Sequence, residues 1–408
     1  MLERYPALKY PRYRRYWLAS LASVGATQLT TLGQGWLIFE LSGSALQLGY
    51  LGAAAAIPNI IMTLIGGVIA DRFDKRIILM CTSAFITLLL SVLAWLDYTG
   101  QVTVWQVLTV AALFSLTTGL DWPVRVSIFP QLVARSAFMS AVALNSFIWQ
   151  VTRMAMPALG GLVIAISDTW LIFAFGAVGF AIMFMVISRI HVTVSEHSGD
   201  SPLQQVGEGF RYIWQTELFR WLLLMTFVGM FFSMSYVQIM PVFADLLGAG
   251  ETGYGYLLSA GGVGSVVGTL IMGGAHNQRH LGRLLLASAT LSVLSLMLFA
   301  TFAGAGWYLA TLFMSFATSA FASVFLVGSM SVMQMTVPDG LRGRVMGIHT
   351  IGFSLSPLGG LLLGALTELF GGPTAVMLGS SVYLLCIIWL GVSVRMLRRI
   401  DGKALSAG

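Results

Sequence analysis

Gly67-Val68-Ile69-Ala70-Asp71-Arg72-Phe73-Asp74-Lys75-Arg76 is the point where one apolar run breaks into five charges within six residues, after which a second apolar run begins at once. A bilayer core takes roughly 20 apolar residues per helical span. The stretch therefore reads as a short connection between two membrane-crossing helices. The same alternation continues in both directions along the 408 residues. Twelve runs are expected, at about 16–39, 47–70, 77–96, 104–128, 138–164, 171–190, 220–243, 255–275, 283–301, 307–334, 344–366 and 375–396.

Charge placement supplies an orientation. The connections 40–46, 97–103, 165–171, 244–254, 302–308 and 367–375 contain no Lys or Arg, whereas the opposite set holds nearly all 22 basic residues. Cytoplasmic loops carry such an excess of basic residues, so both termini are expected in the cytoplasm. Charged residues make up 9% of the chain and mean hydropathy is +0.85, far from soluble proteins, in which about a quarter of residues are charged. The net charge of +6 thus points to anionic lipid head groups and not to nucleic acid. Cys81 and Cys386 both fall inside apolar runs, so no disulfide framework is expected. The first fifteen residues carry five basic side chains without a separate apolar segment, and no removable signal is read there.

The chain also repeats itself. Glu40-Leu41-Ser42-Gly43 aligns with Asp245-Leu246-Leu247-Gly248 at an offset of about 205 residues, and Thr63-Leu64-Ile65 with Thr269-Leu270-Ile271 at nearly the same offset. Pro157 with Gly160 and Gly161 is echoed by Pro357 with Gly359 and Gly360. Parallel repeats of this kind are one plan on which transporters are built. The expected fold is an all-α membrane protein of two pseudo-symmetric six-helix bundles. An N-terminal half spans 1–190, a linker 191–217 and a C-terminal half 218–408. In the linker, Leu203, Val206, Phe210 and Ile213 recur at helical spacing, which predicts an amphipathic helix with its apolar side on lipid.

The segment from Gly67 to Arg76 resembles the loop motif of the major facilitator superfamily, departing from it at Asp74, where glycine is usual. Gly273-Gly274-Ala275-His276-Asn277-Gln278-Arg279 is a worn second copy without the acid. Pro130-Gln131-Leu132-Val133, Ala143-Leu144-Asn145-Ser146 and the block from Val337 to Gly347 are similar to the bacterial branch of enterobactin-type siderophore exporters and macrolide efflux proteins. The resemblance covers essentially the whole chain. It implies the major facilitator fold, a bacterial inner-membrane location, alternating access and export. In that light Gly67, Asp71, Arg72 and Arg76 read as a gating latch, with Asp121 and Arg125, one turn apart, as further members. Residues 152–161 resemble the superfamily's antiporter motif, but Thr152 and Met156 replace glycines.

Ionisable groups in mid-span are costly and therefore informative. Arg153 lies about 15 residues into the fifth run, roughly 22 Å along it. Asn145, Trp149 and Arg153 share its helical face, a surface suited to an anionic or aromatic ligand. Gln28, Thr31 and Gln34 on the first run, Asn59 after Pro58 on the second, and Tyr236 and Gln238 on the seventh complete a substrate-binding set, although helix–helix hydrogen bonding explains each singly. Glu40, Asp121, Asp245 and His349 are the candidate proton carriers. His276 and His280 have metal-ligand spacing but lack a companion, and no metal or cofactor is expected. No nucleophile–base pair, phosphate loop or soluble domain suggests an enzyme. The expected protein is a monomeric, proton-coupled exporter of a neutral or anionic small molecule. A uniporter, an importer, or a sensor or assembly partner on a transporter fold remain the alternatives.

Overall fold

The structure, a computed structural model, describes residues 5–190, 202–275 and 280–402. Its long helices are α1 (Pro11–Ser42), α2 (Ala45–Arg72), α3 (Lys75–Tyr98), α4 (Val104–Ile128), α5 (Phe138–Ser167) and α6 (Thr169–Ile187), followed by a short α7 (Pro202–Gln215). The seventh span is broken into α8 (Glu217–Val228), a π turn (Gly229–Ser233), a 3₁₀ segment (Met234–Ile239) and α9 (Met240–Leu246). Then come α10 (Gly250–Ala275), α11 (Leu281–Gly304), α12 (Tyr308–Thr336), α13 (Asp339–Phe370), α14 (Gly372–Ser393) and the short α15 (Arg395–Arg398). Among the described residues, eleven helices are long and apolar enough to cross a membrane. The twelfth expected span, α1, is 32 residues long, but Thr27, Gln28, Thr30, Thr31 and Gln34 dilute its hydropathy. Each span matches its predicted run to within about five residues.

Two compact units form: residues 1–43 with 54–202, and residues 44–53 with 203–408. This differs from the predicted division in two places. The first turns of α2 belong to the second unit, where Ser44 donates to the Glu368 carboxylate at 2.5 Å and the Leu46 amide donates to it at 3.2 Å. Glu368 thereby satisfies a donor that a helix N-terminus leaves unpaired. The linker helix α7 also joins the second unit. Its buried side is Gly209 and Ile213, with Ile213 in the core and a Cβ at Gly209 falling 3.1 Å from Arg344 and Ile348. Phe210 is exposed, and Glu208 pairs with Arg344. The predicted side chains at Leu203 and Val206 lie outside the described residues.

Small residues make the close packing possible. On α10, a Cβ at Gly264 would come within 2.1 Å of the Phe316 carbonyl, and one at Gly268 within 2.0 Å of the Ala320 carbonyl. Ser323 donates to Ser265 at 2.8 Å across the same seam. The repeat is visible in the backbone as well: Gly43 and Gly248 occupy equivalent positions and both have left-handed φ, +60° and +62°. Helix ends commonly close on such a residue, and glycine adopts it without a Cβ penalty. Trp95, Tyr98, Trp105 and Trp307 are exposed at helix ends on the side without basic connections, as in an interfacial aromatic belt.

Candidate transport site

An ion pair is buried in the first unit. Asp121 and Arg125, 5% and 8% exposed, face each other one turn apart on α4 and form a direct salt bridge. Thr82 of α3 donates to the other Asp121 oxygen at 2.9 Å, and Arg125 donates to the Ser23 hydroxyl of α1 at 2.8 Å. Tyr16 of α1 donates to the Arg125 carbonyl at 3.4 Å. Three helices therefore converge on two charges, and each charge has a second partner. Pro123 lies between them in the chain and has no N–H to give the Gly119 carbonyl, so α4 is locally loosened at the pair. A buried pair completed in this way holds firmly; with either charge removed the other is stranded.

Trp122, next to Asp121, packs edge-on against Trp149 of α5 with ring centroids 5.1 Å apart. On α5, Leu144, Ile148 and Thr152 are buried, whereas Asn145 and Trp149 are half-buried and Arg153 is exposed. Asn145, Trp149 and Arg153 thus lie beside the buried face of α5, about 100° round the helix from it. Met156, on the same side, explains the altered antiporter motif: its sulfur lies 3.5 Å from where a Cβ at Gly25 would stand. The small residue has moved to α1 and the bulk to α5. Thr152 turns its hydroxyl back to the Ile148 carbonyl at 2.8 Å and is fully buried. Gly160 keeps its role, since a Cβ there would press on Leu32 at 2.8 Å.

The remaining sequence candidates separate. On α1, Gln34 is buried and its amide nitrogen has no hydrogen-bond partner among the described residues, Gln28 is half-buried, and Thr31 is exposed and bonds back to the Thr27 carbonyl at 3.0 Å. Asn59 on α2 accepts from Thr63 through its backbone at 2.8 Å. In the second unit Tyr236 is buried edge-on against Phe299 at 5.3 Å. Gln238 lies over Gly360, where a Cβ would meet its Cγ at 2.6 Å. Both residues stand in the 3₁₀ segment. Glu40 and Asp245 are exposed, which leaves Asp121 and His349 as the buried two among the four proton-carrier candidates. His349 on α13 is 2% exposed, edge-on to Phe353, and neither ring nitrogen has a hydrogen-bond partner among the described residues.

In the loop motif, Gly67, Asp71 and Arg72 complete the backbone of α2, and their side chains lie outside the described residues. Asp74, the departure from the motif, caps α3 by accepting from the Arg76 amide at 2.8 Å. Arg76 donates to the carbonyls of Ile187 and Ser188 at 3.2 and 2.5 Å, closing the end of α6. Its partners are backbone carbonyls of the same unit. Of the histidine pair, His276 lies outside the described residues and His280 is exposed. No cluster able to hold a metal occurs among the described residues.

Residues 4–407 match the family of transmembrane secretion effectors, a branch of the major facilitator superfamily. The chain belongs to this family. Among curated relatives, the multidrug efflux pump Tap of Mycolicibacterium fortuitum is 26% identical over 406 residues, covering 94% of this chain and 95% of the pump. The enterobactin exporter EntS of Shigella boydii is 24% identical, covering 88% and 85%. Among solved structures, the nucleoside transporter NupG superposes with a TM-score of 0.71 at 13% identity over 94% of this chain and 99% of that one, which establishes the shared fold. The chain is therefore a multi-pass membrane transporter of small molecules and not an enzyme.

Sequence reasoning missed Ser23, Thr82 and Tyr16, which complete the charge pair. Hydroxyls are common in the spans, and most bond back to their own helix, as Thr27 does at 3.0 Å. Nothing local marks the few that reach across. The π turn was missed too, although Gly229 with its cluster Phe231, Phe232 and Ser233 was a visible irregularity.

Proposed function

We propose that the protein exports a small neutral or anionic, aromatic, siderophore- or drug-like molecule across a bacterial inner membrane, by alternating access, in exchange for protons. The observation that carries this reading is the buried Asp121–Arg125 pair beside the Trp122–Trp149 rings. Protonation of Asp121 would release Arg125 and disturb the helix that carries Trp122. That ties a proton to the position of an aromatic surface, and Arg153 on the neighbouring turn of α5 adds a cation suited to an anionic ligand. Asn145 lies one turn below Trp149 on the same face, and His349 is the second buried carrier. Names of relatives, an efflux pump and an enterobactin exporter, agree with export of such compounds. Basic connections on one side support cytoplasmic termini, and the cycle needs only a monomer.

Proteoliposomes with an acidic lumen test the reading. Catecholates, macrolides and lipophilic cations would be offered outside. Accumulation of a catecholate, or of a neutral macrolide without a basic amine, above that in protein-free liposomes and collapsing with the pH gradient supports it, and Arg153→Gln should lose the catecholate first. Uptake that is indifferent to the gradient, or confined to cations, would overturn it.

A further inference from the structure

Two tryptophans meet where α8 and α14 come together at one end of the second unit. Trp221 of α8 packs edge-on against Trp389 of α14, with ring centroids 5.5 Å apart. An arginine stands on either flank. The Arg220 guanidinium lies over the Trp221 ring, 4.9 Å from its centroid, and donates to the Trp214 carbonyl at 3.5 Å. Arg398 of α15 donates to the Val392 carbonyl at 3.3 Å, one turn beyond Trp389 on α14. A guanidinium carries five N–H donors, so most of those on both residues stay available. Among the described residues, neither arginine is paired with a carboxylate. Glu217 accepts from the Trp221 ring nitrogen at 3.4 Å instead, and Asp401 is half-buried and pairs with neither arginine.

The helix that carries Arg398 is held in place. A Cβ at Gly282 of α11 would fall 1.8 Å from the Leu397 carbonyl, and the Gly282 amide donates to the Ile400 carbonyl at 3.1 Å. Leu397 and Ile400 are buried, whereas Arg395, Arg398 and Arg399 are exposed.

Height in the bilayer says what these groups meet. The span α14 begins at Gly372, on the side without basic connections. At about 1.5 Å per residue, Trp389 lies roughly 26 Å and Val392 roughly 30 Å along it, which is the thickness of the hydrocarbon core. The tryptophans are therefore at the level of the head groups, where tryptophan collects, and Arg398 lies just beyond the acyl chains. Toward the bilayer centre, Leu385, Trp389 and Val392 recur on one face of α14, each more than half exposed. An uncharged stripe on a membrane-spanning helix faces lipid tails.

Charge and apolar surface together select one occupant. Arginine matches phosphate with two parallel N–H bonds. Arg220, Arg395, Arg398 and Arg399 outnumber the two acids nearest them in sequence, Glu217 and Asp401, so the surface favours a net negative head group over a zwitterionic one.

We infer that an anionic phospholipid binds here, with its head group at Arg220 and Arg398 and its acyl chains along Leu385, Trp389 and Val392. Binding is read without flux, so the site stands apart from the export reading. Native mass spectrometry of the full-length protein measures the first bound lipid, with phosphatidylglycerol and phosphatidylcholine of identical chains as probes. Wild type should bind phosphatidylglycerol about 25-fold more tightly, fivefold for each arginine. Arg220→Gln with Arg398→Gln should erase the preference, and Arg398→Gln alone should leave about fivefold. Arg135→Gln with Arg189→Gln removes two exposed charges from the first unit and should leave the preference intact. Equal binding of the two lipids by wild type overturns the inference. Equal loss of preference in both double variants overturns it as well, because the attraction would then be diffuse. Should the Arg220 and Arg398 double variant fail to fold, Arg398→Gln decides, and an unchanged preference there refutes the site. Displacement of the lipid by chain-free glycerophosphoglycerol at equal concentration would also refute it, since the apolar stripe would then contribute nothing.

Discussion

Replacing Asp121 with Asn keeps the size of the side chain and its bond with Thr82, but removes the charge that Arg125 faces. Arg125 is 8% exposed, and the Ser23 hydroxyl is the side-chain partner that its guanidinium keeps. Breaking a buried pair by removing one member costs about 3–5 kcal/mol, because the remaining charge is left desolvated and unmatched. For a unit of this size that corresponds to roughly 6–20 °C in Tm, at about 2–4 °C per kcal/mol. The double replacement Asp121→Leu with Arg125→Met removes both charges together and should recover most of the loss, to within about 1–2 kcal/mol, since apolar packing often substitutes for a buried pair. Thermal unfolding of purified protein, followed by tryptophan fluorescence, reads both. An Asp121→Asn protein that melts with wild type would refute the reasoning, and so would a double variant as unstable as the single. The double variant should still fail to couple protons, which separates the pair's structural role from its proposed transport role.

Glu368→Ala leaves the Leu46 amide and the Ser44 hydroxyl without their acceptor. Loss of such a cap costs about 1 kcal/mol, so hydrogen exchange over residues 44–48 should speed about fivefold. Gly25→Ala adds a methyl at ordinary contact distance from the Met156 sulfur, 3.5 Å, and should change Tm little, whereas Gly264→Ala meets the Phe316 carbonyl at 2.1 Å and should reduce the folded yield sharply. Glu208→Gln opens an ion pair whose side chains are 57% and 25% exposed, and should cost less than about 1 kcal/mol in denaturant unfolding.

The spans were legible because bilayer thickness sets their length and basic residues mark one set of their ends. Charges crowd into connections such as Asp71–Arg76, and no packing detail is needed to see that. The repeat was legible as well, down to Gly43 and Gly248, since a left-handed helix end selects glycine in both copies. The linker helix is amphipathic, as its periodicity predicts, and its buried side includes Gly209 beside Ile213. Periodicity does not register Gly209, where a Cβ would press at 3.1 Å on Arg344 and Ile348. The altered antiporter motif looked like a loss of small residues, because the compensating Gly25 lies over a hundred residues away. Asp121 and Arg125 were found by their spacing of four, whereas Ser23 and Thr82 meet them only through tertiary packing.

Proton exchange through Asp121 is the claim on which the functional account rests, and a pH dye inside proteoliposomes reads it directly. When a transported compound is added outside, the lumen of wild-type vesicles should become more alkaline as protons leave against its entry. Asp121→Asn vesicles should show no such change. Entry of the compound into wild-type vesicles without any pH change, or an undiminished response from Asp121→Asn, would contradict the account.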